Sequence, residues 1–125
     1  MQKETLKYIA DSMAAANIPY DFMEFDGDIT DRYWVGEYQE NESLNEDGQD
    51  EAEFILTGTA RNLQTLETDK QTIRTLFPTI GGKMATLNNG STVAIFYGNA
   101  IPIPTGDYLH KRMQINLKIK EWKGN

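Results

Sequence analysis

The segment Met113-Gln114-Ile115-Asn116-Leu117-Lys118-Ile119-Lys120 alternates apolar and polar residues without a break. A period of two is that of a β-strand with one face in a core and the other in water. Met113, Ile115, Leu117 and Ile119 are therefore expected to point inward, and Gln114, Asn116, Lys118 and Lys120 outward. Such a strand needs partner strands beside it and a covering layer on its apolar side.

The rest of the chain supplies both. Directly upstream, Ile101-Pro102-Ile103-Pro104-Thr105-Gly106-Asp107 reads as an extended connector, because each proline lacks a backbone donor and holds the residue before it out of a helix. Met84–Leu87 and Thr92–Tyr97 flank Asn88-Asn89-Gly90-Ser91, and Asn89-Gly90 marks a hairpin because both residues tolerate positive φ. Before the hairpin, Glu67–Phe77 is predicted to be a helix: Thr68 and Gln71 fit a capping box, Ile73, Leu76 and Phe77 give one apolar face, and Pro78 stops it. Glu51–Thr59, Arg32–Tyr38 and Tyr20–Phe25 read as strands, the last two separated by the turn-like Asp26-Gly27-Asp28. At the start of the chain, Leu6, Ile9, Ala10 and Met13 fall at helical spacing; Asn17, which accepts a left-handed cap conformation, and Pro19 end that helix.

The polar run from Asn41 to Asp50 carries too little apolar area to offset an ordering entropy of about 1–2 kcal/mol per residue, and is expected to be a mobile acidic loop at about 41–50. The resulting order is helix, three strands, helix, three strands. The expected fold is α+β: a mostly antiparallel sheet of about six strands with two helices packed on it, in a single domain over residues 1–125.

With 125 residues, 39% of them hydrophobic and 25% charged, the chain can bury one core but not two. It holds no cysteine, which removes disulfides, thiolate nucleophiles and cysteine-based metal sites. No apolar run is long enough to span a bilayer and no signal-peptide pattern opens the chain, so a cytoplasmic product with no membrane partner is expected. The net charge of −7 is unevenly spread: Asp21 to Glu53 holds 13 acidic residues against Arg32 alone, leaving a positive excess of 5 elsewhere. Lys111, Arg112, Lys118, Lys120 and Lys123 stand near the C-terminus against only Glu121.

Specific chemistry is sparse. His110 is the one histidine, and the three serines Ser12, Ser43 and Ser91 fall in a helix, a loop and a turn, so no acyl-transfer triad is expected. The carboxylates between Asp21 and Glu53 sit in a wet segment without the dry pocket that general acid–base work requires. Asp47-Gly48 and Asp26-Gly27 resemble the start of a calcium loop, but the twelfth positions fall on Phe54 and Tyr33 in place of the terminal Glu. Gly81-Gly82-Lys83 is followed by Met84 where a phosphate loop needs Ser or Thr, and reads as a turn. No cofactor or metal is expected. The pI of about 4.6 opposes tight nucleic-acid binding, although Arg112, Lys118, Lys120 and Trp122 lie close together.

Tyr33-Trp34-Val35-Gly36-Glu37-Tyr38, Phe54-Ile55-Leu56-Thr57-Gly58, Ile101-Pro102-Ile103-Pro104-Thr105-Gly106-Asp107 and Gln114-Ile115-Asn116-Leu117-Lys118-Ile119-Lys120-Glu121-Trp122 follow one another in an order and spacing that carries a family resemblance. The chain resembles small minor structural proteins of long-tailed phage and prophage tail modules from Gram-positive bacteria, most of all tail-terminator or head-to-tail joining proteins. The resemblance implies a small non-enzymatic α+β subunit of a ring, commonly hexameric, with no catalytic residues. Its partners would be further copies of itself and other tail or connector proteins, in the host cytoplasm during assembly and then in the virion.

A ring of identical subunits needs two different patches that meet head to tail, and separated opposite charges suit that need. The residues expected at such an interface are Tyr33, Trp34, Tyr38, Glu51, Glu53, Arg112, Lys118, Lys120 and Trp122, with Lys118 and Lys120 of one copy meeting Glu51 and Glu53 of the next. An acidic loop facing a channel would also repel DNA phosphates. The alternative is an acidic protein-binding module or inhibitor, one that mimics DNA or occupies a basic partner.

Overall fold

A computed structural model describes residues 1–26, 31–41 and 49–123. Its elements are α1 (Lys3–Ala15), β1 (Tyr20–Phe22), β2 (Arg32–Asn41), β3 (Gln49–Ala60), α2 (Leu63–Leu76), β4 (Lys83–Thr86), β5 (Thr92–Ile103) and β6 (Lys111–Trp122). The fold is α+β. All six strands form one sheet in the order β1-β2-β3-β6-β5-β4, so the last strand lies at its middle. The sheet is mixed: four of its five pairings are antiparallel, and β1 runs parallel to β2, with Tyr20 opposite Trp34 and Phe22 opposite Gly36. Of the acidic loop expected at about 41–50, residues 42–48 lie outside the described residues, while Asn41 ends β2 and Gln49 and Asp50 open β3.

β6 follows its alternation. Met113, Ile115, Leu117 and Ile119 are buried, while Gln114, Asn116, Lys118 and Lys120 stand on the other face. The register carries the same parity across the sheet, since Phe54 faces Leu117, Leu56 faces Ile115, Ile95 faces Ile119 and Trp34 faces Gly58. α1 covers this apolar face with Ile9 and Met13, and α2 covers it with Leu66 and Ile73, all within one core cluster. The core is tight at Gly58: a Cβ there would lie 2.6 Å from the Trp34 ring, so the indole lies against bare backbone.

Several boundaries differ from the sequence reading, each for a local reason. α2 begins at Leu63, because Asn62 Oδ1 accepts the Thr65 N–H at 2.9 Å and caps the helix. Thr68 instead lies inside it, donating its hydroxyl to Gln64 O at 3.0 Å; a Thr that bonds its own helix backbone cannot serve as the cap. The connector with two prolines is shorter than expected, since Ile101, Pro102 and Ile103 extend β5 opposite Gln114, Met113 and Arg112. β4 covers only Thr92–Ile95, so the outer edge of β5 is bare at Pro102 and its missing N–H costs no ladder bond there. In the β4–β5 turn Gly90 takes φ +86 while Asn89 keeps negative φ and accepts the Ser91 N–H with its side chain. β1 stops at Phe22, where Met23 turns to φ +69 and donates its N–H to Gly36 O at 2.8 Å.

The end of α1 follows the reading closely. Asn17 has φ +60, its N–H reaches Ala14 O at 3.0 Å, and the Ile18 N–H reaches Met13 O at 3.0 Å. This is the paired bonding of a Schellman cap, closed by contact of buried Ile18 with Met13. A branched residue with a Cβ in that conformation is strained, so Asn17→Val is expected to lower stability by about 1–2 kcal/mol in chemical denaturation, while Asn17→Gly leaves it unchanged or higher.

Candidate functional site

The sheet register collects charge at its two ends. At one end Arg32, Ala60 and Lys111 lie abreast, followed by Tyr33, Thr59 and Arg112. Arg61 and His110 adjoin this row, and together with Arg32, Tyr33 and one carboxylate, Asp31, they line a small hollow. At the opposite end, nine residue steps or about 30 Å along the strands, Glu40, Asp50, Glu51 and Glu121 line a second hollow with Met1, Gln2, Ala52 and Lys123.

Each end is anchored by one buried carboxylate. At the basic end Asp69, 5% exposed on α2, accepts from Arg32 Nε at 2.7 Å and from the Trp34 indole N–H at 2.8 Å, while Arg32 also reaches the Asn17 carbonyl at 3.1 Å. This ties α2, β2 and the α1 cap together. At the acidic end Glu121, 3% exposed, continues the inward parity of β6 and meets the start of α1. The α1 N-cap Gln2 makes no side-chain cap bond; Glu121 Oε2 accepts the Gln2 N–H at 3.2 Å and the Thr5 hydroxyl instead. An anion at that place also satisfies the positive end of the helix dipole.

Between the ends, on the face without helices, Glu51 stands opposite Lys120 and Glu53 opposite Lys118. Within one chain these four are cross-strand neighbours, where an opposite-charge pair contributes roughly 0.2–1 kcal/mol. Lys120 Nζ also lies 5.9 Å from the centroid of the Phe96 ring. Trp122 is half-buried on the same face, between Gln49 and Thr92. Arg112 is half-buried there too, with Nε 3.4 Å from Thr59 Oγ1.

The aromatic group expected at the interface does not form one surface. Trp34 is fully buried and belongs to the core. Tyr33 and Tyr38 differ in parity and so lie on opposite faces of the sheet: Tyr33 packs on Phe25 with centroids 5.1 Å apart, and Tyr38 stacks on Phe22 at 6.0 Å.

The sequence reading made the loop between β5 and β6 the end of an extended connector, whereas the structure folds it into a braced turn. Gly106 takes φ +73, Asp107 Oδ1 accepts the Leu109 N–H at 2.9 Å, and Asp107 Oδ2 lies 2.7 Å from His110 Nδ1. Thr105 Oγ1 lies 2.9 Å from both the Asp107 and His110 carbonyls and accepts the Asp107 N–H at 3.1 Å. His110 thus braces a turn, and Ser12 and Ser91 lie elsewhere, in α1 and the β4–β5 turn. The signal for this was Thr105-Gly106-Asp107, whose side chains bond backbone two residues on. The His110 hydrogen bond and then the Leu109 N–H hold the Asp107 carboxyl below its usual range. A depressed folded value means that the brace is intact above the ordinary Asp value of about 4 and is lost as pH falls through the lower folded one. Protection of the Leu109 amide, taken relative to the intrinsic exchange rate at each pH, is accordingly expected to hold down to that region and to be lost below it, whereas in Asp107→Ala it is absent at every pH.

Among the described residues no group of three or more His, Cys, Asp or Glu side chains is placed to hold a metal ion, and no helix is long and apolar enough to cross a membrane. Comparison of the chain with protein-family models and with curated proteins gives no match.

Proposed function

We propose that this chain is a non-enzymatic virion subunit of a long-tailed phage or prophage, one that joins copies of itself head to tail in a ring at the tail end or the head-to-tail junction. The observation that carries this reading is the opposition of a basic and an acidic end on one sheet. Two unlike, complementary patches on one molecule are what a heterologous contact requires, and repetition of that contact closes a ring when the rotation permits. The bare sheet face leaves a second surface for other tail or connector proteins. Tail-module assembly in the host cytoplasm follows from the same reading, as does incorporation into the virion.

Native mass over a concentration series, with negative-stain imaging, tests it. A closed oligomer that loosens as salt screens the charges is the expected result. A monomer at every concentration that also fails to bind isolated tail tubes removes the reading. The carboxylates Glu40, Asp50 and Glu51 at one end favour a second reading, an acidic binding module for a basic partner. That module remains monomeric until such a partner is added.

A further inference from the structure

The turn that carries Tyr108 and Leu109 is stiff, yet both side chains point into water, Tyr108 being 84% exposed. Single exposed apolar residues are ordinary, but here a loop braced by four side-chain-to-backbone contacts and the Asp107–His110 pair presents two of them side by side. Leu63, Pro102 and Pro104 continue the apolar surface around a shallow hollow of about 550 Å³ beneath Tyr108. Preorganised aromatic anchors of this kind lose little entropy when they are covered. Arg61 and Lys111 flank the loop without an ion-pair partner among the described residues, so the surface that covers it should be acidic.

The chain carries such a surface at its other end. The hollow bordered by Glu40, Asp50, Glu51 and Ala52 holds about 310 Å³, the space of roughly ten waters, which admits one phenol side chain. Lys123 is on its rim and Glu40 is also paired with the Met1 ammonium, which leaves Asp50 and Glu51 to meet incoming cations.

We propose that Tyr108 and Leu109 of one copy dock into this acidic hollow of a second copy. The Tyr108 hydroxyl would donate to a carboxylate of the hollow, and Arg61 and Lys111 would face Asp50 and Glu51. The inference rests on the head-to-tail reading above and names the contact that makes it. It is a different contact from a pairing of Lys118 and Lys120 with a neighbour's Glu51 and Glu53.

The absence of cysteine gives a clean background for the test. Pro104→Cys beside the loop and Lys123→Cys on the rim of the acidic hollow, both at exposed positions that leave Tyr108 and Asp50 intact, are prepared separately, mixed, and treated with a short bis-maleimide. The expected result is a cross-linked heterodimer well in excess of either homodimer, and none above background when Pro104→Cys is mixed with Ile80→Cys, an exposed control. In parallel, Tyr108→Ser should weaken self-association about thirty-fold with an unchanged melt. An oligomer that persists in Tyr108→Ser without the Pro104–Lys123 link overturns this contact and leaves the ring reading standing. A specific link between copies that never build beyond a dimer supports the contact and removes the ring. Wild-type chains that do not associate, together with cysteine variants that do not cross-link, remove both.

Discussion

Asp69→Ala is expected to lower unfolding stability by about 3 kcal/mol, with a fall in melting temperature of roughly 10 °C for a domain of this size. The carboxylate is buried and accepts two hydrogen bonds on one oxygen, from Arg32 and Trp34. Its removal strands the indole N–H inside a closed core and leaves the guanidinium, among the described residues, with the Asn17 carbonyl and the distant Asp31 carboxylate at 3.8 Å. Arg32 is 23% exposed and recovers part of its loss from water, which keeps the figure below that of a wholly buried pair. Asp69→Asn retains an acceptor for Trp34 and should cost about half as much. In a double-mutant cycle with Arg32→Met, urea unfolding should return a coupling of 1 kcal/mol or more; additive losses would mean that Asp69 serves Trp34 alone.

That carboxylate shows what the sequence disclosed and what it hid. Leu66, Asp69 and Ile73 share one stripe of α2, so an acid stood on the apolar face in plain view, but its partners lie 35 and 37 positions away and only the tertiary fold brings them within reach. Local rules did well where local forces decide. The alternation of β6, the left-handed Asn17 and the Asn-Gly hairpin are all fixed within a few residues of chain. They did less well at Thr68 and Pro102, where a residue suited to a boundary is equally at home inside an element once a neighbour supplies the cap or an edge is left bare. Where the candidate interface residues lie depends on the same tertiary information. Parity along β2 already separated Tyr33 from Tyr38, but the register that sets Glu51 and Glu53 against Lys120 and Lys118 is a property of the β3–β6 pairing, which no local pattern specifies.

Glu121 is the second carboxylate at a core position, and its replacement should be nearly as costly as that of Asp69. Glu121→Ala removes the acceptor for the Gln2 N–H and the Thr5 hydroxyl, both at the start of a helix whose N-cap side chain makes no capping bond, its Oε1 accepting from Asn89 Nδ2 instead. Loss of a charge-assisted bond to backbone, a stranded buried hydroxyl and a small cavity together point to about 2–3 kcal/mol, read in urea. Thr5→Val alone leaves Glu121 with the Gln2 N–H and should cost about 1 kcal/mol. The two changes should not add. Glu121→Leu with Thr5→Val replaces both members of the buried pair by apolar groups of similar shape, so most of the desolvation penalty disappears and the double variant should be more stable than Glu121→Leu alone. What remains is the Gln2 N–H and the lost anion at the helix dipole, together about 1 kcal/mol. A double variant as unstable as the sum of its parts would show that Glu121 acts mainly through the α1 backbone, with Thr5 a bystander.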